Sequence, residues 1–193
     1  KTKKPVTDPE GNPVTAEQIF TAAAPSGMTE VECTFDASGL HGRDIVLYEE
    51  LYEKEKKIAE HKDISDEGQT IHFPGIETKA LDETTGTNTA VAAERVSIID
   101  TISYQNLKPG QEYILRGKLI DKETGMTAQD ADGADVTAEV KFTPKEKDGK
   151  TEVSFQFDGS NLEGKTLVAF ETLEKSNKVY AVHADIDSQE QTI

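Results

Sequence analysis

The sequence predicts an all-β chain built from tandem sandwich modules, the first of them incomplete. Three observations carry that prediction: a long internal repeat, short runs in which apolar and polar residues alternate with period two, and turn-forming residues recurring between those runs.

The repeat sets the organisation. Residues 14–71 align without a gap on residues 136–193, at an offset of 136 − 14 = 122, and 26 of the 58 aligned positions are identical. Val14-Thr15-Ala16-Glu17 recurs as Val136-Thr137-Ala138-Glu139, and Phe35-Asp36 as Phe157-Asp158. A period this long is that of self-contained domains rather than of a stacked solenoid. Residues 72–122 have no earlier counterpart. Residues 76–193 are therefore expected to form a complete module, and residues 1–71 only the C-terminal part of one, short of about 122 − 71 = 51 residues in front. Half a sandwich leaves strand edges and an apolar face open, so a missing segment or a second chain is expected to complete residues 1–71.

Strands follow from alternation. Val153, Phe155 and Phe157 share one face with Ser154 and Gln156 opposite, and Val31, Cys33 and Phe35 repeat the pattern. Cys33 is accordingly expected to be a small buried apolar residue. Further strands are expected at residues 98–104, 112–119, 138–142, 167–173 and 180–184, separated by turn signals at Lys108-Pro109-Gly110, Thr124-Gly125, Asp132-Gly133, Asp148-Gly149 and Glu163-Gly164. Residues 49–62 are rich in Glu and Lys and resemble an exposed helix in isolation. Their repeat counterpart carries Ser176-Asn177-Lys178, a turn sequence, so both copies are read as hairpins. Short strands at this spacing make an Ig-like sandwich.

Composition excludes several functions. With 37 acidic and 21 basic residues the net charge is −16, which repels nucleic acid and anionic membrane surfaces. No apolar run is long enough to span a bilayer, and the first six residues lack the apolar centre of a signal peptide, so any export or anchoring signal is expected outside this sequence. A single cysteine rules out an internal disulfide. His41, His61, His72 and His183 are scattered without cysteine neighbours and make no zinc site. Asp130-Ala131-Asp132-Gly133 lacks the ligand spacing of a calcium loop and reads as a turn. No metal and no cofactor is expected.

The informative residues are polar ones standing in apolar phase. Asp100 falls in step with Ile98 and Ile102, Glu171 with Ala169 and Leu173, Thr78 with Ile76 and Ala80, His183 with Ala181, and Gln191 with Ile193. The first module repeats three of the set as Glu49, His61 and Gln69, with the His eight residues before the Gln in both copies (69 − 61, 191 − 183). Singly, each is an ordinary strand or core residue. Together, a hydroxyl, an imidazole, two desolvated carboxyls and a primary amide form a reactive set. Attack of the Thr78 hydroxyl on the Gln191 side-chain carbonyl expels ammonia and leaves an ester, with His183 moving the protons, one carboxyl stabilising the amide oxygen and the other orienting the imidazole. The sequence does not say which of Asp100 and Glu171 is protonated.

Val168-Ala169-Phe170-Glu171, Ile99-Asp100-Thr101-Ile102-Ser103-Tyr104, Asn106-Leu107-Lys108-Pro109-Gly110 with Tyr113, Gly117-Lys118-Leu119 with Asp121-Lys122, and His183-Ala184-Asp185-Ile186 through Gln191-Thr192 together resemble the VaFE-repeat, Thr-Gln ester-bond domains of Gram-positive surface adhesins. The resemblance covers residues 76–193 and, through the repeat, residues 1–71. It implies a CnaB-like, Ig-like sandwich and an ester between a threonine of the first strand and a glutamine of the last, assisted by an Asp, a Glu and a His, which fall on Thr78, Gln191, Asp100, Glu171 and His183. It also implies a stalk module on a cell-wall-anchored extracellular protein, next to further repeats of the same protein. The first module supplies only Glu49, His61 and Gln69, so its ester cannot close within residues 1–71.

Three other functions compete. A lysine-to-asparagine isopeptide with Lys79 as the amine is disfavoured because Lys79 points opposite to Thr78 and the last strand repeats Gln, not Asn. A ligand-binding module for carbohydrate or a host protein is disfavoured by 6% aromatic content and the absence of Trp. A multiple-turnover enzyme is disfavoured because the chemistry consumes its own residues once. The host ligand is not readable from the sequence.

Overall fold

The computed structural model describes residues 3–193, which form two compact units. Residues 73–193, with residues 41–43, make the larger one. Its seven strands are all antiparallel. One sheet has three strands in the order β5 (Gly75–Asp82), β6 (Val96–Gln105), β9 (Gly149–Phe157). The other has four in the order β11 (Lys178–His183), β10 (Leu167–Lys175), β7 (Tyr113–Asp121), β8 (Thr137–Phe142).

Alternation builds the core between the sheets. Along β6 every second residue is buried, giving a row of Val96, Ile98, Asp100, Ile102 and Tyr104. β7 sends in Tyr113, Leu115 and Leu119, β9 sends in Val153 and Phe155, and β10 sends in Leu167, Ala169, Glu171 and Leu173. Gly117 is the gap in the β7 row. A Cβ there would lie 2.5 Å from Cζ of Phe155, so the missing side chain is the space that the ring fills. The turns use residues that tolerate positive φ, among them Asn106 (60°) and Gly110 (75°) around Lys108-Pro109-Gly110.

The last residues tie the two sheets together. Leu167 and Ile193 exchange both backbone hydrogen bonds at 2.8 Å, and Ala169 N–H donates to Gln191 O at 3.0 Å, so this segment runs along the first half of β10. On its other side Ala80 N–H of β5 donates to Glu190 O at 3.0 Å. First and last segments of the module are thereby neighbours.

Residues 3–40 and 44–72 form the smaller unit. It holds β1 (Asp44–Val46) paired with β4 (Thr70–His72) and the hairpin β2 (Glu49–Glu53) with β3 (Lys56–His61). The hairpin repeats β10–β11 residue for residue: Glu49 faces His61 as Glu171 faces His183, and the register slips after Leu51 as it does after Leu173. Leu47 N–H bonds Gln69 O as Ala169 N–H bonds Gln191 O. The expected strand through Val31, Cys33 and Phe35 is not formed, and Cys33 is exposed rather than buried. The reason is pairing. In the larger unit the equivalent strand β9 hydrogen-bonds along its whole length to β6, and residues 3–72 contain no counterpart of β6. Alternation alone does not hold an unpaired segment extended.

Candidate functional site

Thr78 lies on β5, Asp100 on β6, Glu171 on β10, His183 on β11, and Gln191 on the closing segment. The fold brings all five together. Glu171 and His183 are direct cross-strand partners, and Thr78 pairs with Ile102, one inward step along β6 from Asp100. Thr78 Oγ1 lies 2.6 Å from His183 Nδ1 and 3.2 Å from Glu171 Oε2. The Gln191 amide lies directly against Thr78 Oγ1, its Nε2 donating to that oxygen and, at 3.3 Å, to Asp100 Oδ1. His183 Nδ1 is 3.9 Å from Glu171 Oε2.

The site is dry on all sides but one. Asp100 and Gln191 are fully buried, Glu171 is 1% and Thr78 7% exposed, while the His183 side chain is 28% exposed. Burial therefore dominates the electrostatics. It drives the Asp100 carboxyl up to about 9, with the neighbouring Glu171 raising it further. Burial also drives Glu171 up to about 7, offset in part by hydrogen bonds from Asp100 and Thr78. Asp100 Oδ2, Glu171 Oε1 and Gln191 Oε1 are all buried without a hydrogen-bond partner. The Asp100 and Glu171 side chains hydrogen-bond to each other, which raises Asp100 and lowers Glu171 and so sets the order of the two shifts.

Other sequence-predicted residues fall elsewhere. Glu49 and His61 are exposed and Gln69, the last residue of the short 3-10 turn Glu67–Gln69, is half-buried, so the first unit does not gather its three into a buried site. His61 Nε2 instead meets Asp66 Oδ2 at 3.0 Å. Lys79 points to solvent and pairs with Glu190 at 3.0 Å, away from the buried set. Asp130 Oδ1 accepts the backbone N–H groups of Asp132 and Ala134, which makes that stretch a turn. Among the described residues no cluster of His, Cys, Asp and Glu is arranged to hold a metal. Sequence reasoning missed Gly117, which faces Glu171 across β7 and β10 and leaves the space that the Phe155 ring fills. A glycine in phase with Leu115 and Leu119 was the available signal. It also missed the buried carboxyl of Asp82, which accepts Thr85 N–H at 2.7 Å and shapes the turn after β5.

The sequence model of the T-Q ester bond containing domain matches this chain twice, over residues 1–73 and 74–193. No curated protein sequence matches the chain. Among solved structures, a bacterial adhesin from Mobiluncus mulieris containing intramolecular disulfide, isopeptide and ester bond cross-links is 21% identical, with a TM-score of 0.49, over 63% of this chain and 56% of that one. A second crystal form of that adhesin gives 19% and 0.44 over the same shares of the two chains. A glycosyl hydrolase family 2 member from Bacteroides cellulosilyticus is 13% identical, with a TM-score of 0.44, over 60% of this chain and 15% of the enzyme. The chain thus spans little more than half the length of the adhesin, and likenesses this distant decide nothing about its activity. The family model decides membership: with both halves matched, this all-β chain belongs to the family of T-Q ester bond containing domains.

Proposed function

We propose that residues 76–193 form a structural stalk module of a bacterial cell-surface adhesin that seals itself once, by an ester between Thr78 and Gln191. The observation that carries this is the contact of the Thr78 hydroxyl with the Gln191 amide in a buried pocket shared with His183, Asp100 and Glu171. His183 Nδ1 takes the hydroxyl proton as Oγ1 attacks Cδ of Gln191, and Glu171 steadies the imidazolium. Asp100 Oδ1 lies against Gln191 Nε2, while Oε1, the atom on which negative charge builds, is buried without a hydrogen-bond partner, so a neutral Asp100 favours the reaction by adding no second negative charge beside it. The Cδ–Nε2 bond breaks, and nitrogen leaves as ammonia with the proton that His183 returns. Thr78 and Gln191 are consumed in that one event, while His183, Asp100 and Glu171 end as they began, which suits a scaffold and not an enzyme.

Intact mass tests this. The native chain is expected to be one ammonia lighter than its sequence mass, and Thr78→Ala and Gln191→Ala are expected at full mass. A native chain at full mass rejects the reading. Release of the tie by hydroxylamine separates an ester from an isopeptide.

The same proposal extends to the first unit. Val31 is 52%, Leu47 42% and Leu51 40% exposed, while their repeat equivalents Val153, Ala169 and Leu173 are at most 2% exposed. A segment of the kind formed by residues 74–122, carrying a threonine and an aspartate at the matching places, would cover this face, pair with β2 and present its hydroxyl to Gln69. Adding a peptide of residues 74–122 to the full chain is expected to give a covalent adduct that Gln69→Ala abolishes. Absence of the adduct counts against that partner.

A further inference from the structure

We propose that the buried site forms an ester from a carboxylic acid as well as from an amide: glutamate at position 191, the product of hydrolysing the cross-link, condenses again with Thr78, so an opened module reseals. The inference rests on the ester reading above and goes past it, from a single sealing event to a reversible one.

Ester hydrolysis in water is pulled forward largely because the acid it releases ionises, by about tenfold for each pH unit above the acid's pKa. That pull is missing here. Position 191 is fully buried, and its side-chain end lies 3.3 Å from Asp100 Oδ1. Asp100 from β6 meets it directly, Glu171 from β10 and His183 from β11 meet the Thr78 hydroxyl that it also touches, and among the described residues no lysine or arginine pairs with any of them. Glu190, next in sequence, turns outward to Lys79. A third carboxyl in this dry space is poorly solvated as an anion, and any charge on Glu171 repels it, so it stays neutral well above the ordinary carboxyl range. The alcohol, meanwhile, is fixed against it. Backbone bonds from Ala80 to Glu190 and from Ala169 to Gln191, each 3.0 Å, hold the segment bearing residue 191 to β5 and to β10. Such positioning gives an effective concentration far above that of any free alcohol.

The step balances without another reactant. Thr78 Oγ1 bonds to Cδ of residue 191, the Cδ–OH bond breaks, the Thr78 proton passes to His183 Nδ1, and a proton from His183 joins the departing hydroxyl to make water. Water enters and leaves past His183, the one member of the set with appreciable exposure. Ammonia loss therefore charges the module once, and afterwards ester and acid interconvert inside the folded domain with the ester favoured.

The test is Gln191→Glu in the full chain. Held between about pH 5 and about pH 7, it is expected to become one water lighter than its sequence mass, while Gln191→Glu with Thr78→Ala keeps full mass. Once the pH passes the point where the acid ionises, the ratio of closed to open chain is expected to fall about tenfold per pH unit. A second measurement covers a variant that does not fold. Native protein incubated in heavy-oxygen water is expected to take label into the cross-linked fraction as it opens and reseals, without net loss of the tie. A folded Gln191→Glu chain that keeps full mass overturns the proposal, as does native protein that takes up no label or opens permanently. If the native chain itself shows no ammonia deficit, the underlying ester reading has failed instead.

Discussion

Asp100 occupies a position that β6 otherwise fills with valine, isoleucine and tyrosine, and its chemistry follows from that placement. A carboxyl in an apolar row keeps its proton because the charged form is poorly solvated there. The folded value of about 9 stands above the ordinary 3.8, and that of Glu171, about 7, above 4.5. The folded state therefore binds more protons than the unfolded chain between these limits, and stability falls as pH rises. This contribution is complete below about pH 4 and is lost on passing through about 7 and then about 9. In the open form made by Thr78→Ala, the unfolding midpoint is expected to drop from about pH 5 to about pH 9, and adding Asp100→Asn is expected to flatten that slope. The difference between the two variants removes the background from the acidic surface, which is common to both. Parallel slopes would mean that Asp100 is not held neutral by the fold. Sealing has a matching limit: its rate is expected to decline as pH rises through about 9, since an ionised Asp100 opposes the charge forming beside it.

At the scale of elements, the sandwich was legible wherever alternation met a partner. β6, β7, β9 and β10 carry long inward rows, and each is paired on both sides or along its full length, so phase and structure agree. Residues 31–35 have the same phase and no partner strand, and there the prediction of a strand and a buried Cys33 failed. Phase also marked the polar residues that point inward. What spacing does not contain is the sequence-distant register that sets Thr78 against a residue 113 positions later, or that aims the ring of Phe155 at Gly117. Such contacts belong to the packing of two sheets, and a glycine is silent about what fills its gap. Gly117→Ala gives that packing a direct test. The added methyl meets a fully buried ring with nowhere to move, so unfolding of the Thr78→Ala form in denaturant is expected to show a loss of about 1–3 kcal/mol. An unchanged midpoint would mean that the ring is free to shift.

For the module as a whole, the position of the tie matters more than the strength of any contact. Thr78 and Gln191 are 113 residues apart in sequence and adjacent in space, so a bond between them closes nearly the whole module into one loop. By the loop-entropy relation used for disulfides, such a closure destabilises the unfolded chain by about 5 kcal/mol, before any strain in the folded state. An effect of this origin resides in the unfolded ensemble and not in the folded contacts. Two signatures follow from that origin. The native chain should unfold at a higher denaturant concentration than Thr78→Ala, and with a smaller slope, because a closed loop exposes less surface when it unfolds. Load applied through the first and last strands should also find no route to extension past residues 78 and 191 short of breaking the covalent bond. Pulling single molecules would show this as a lengthening deficit equal to the enclosed residues in the native chain and full lengthening in Thr78→Ala. Equal extension of the two would remove the mechanical role while leaving the chemistry intact.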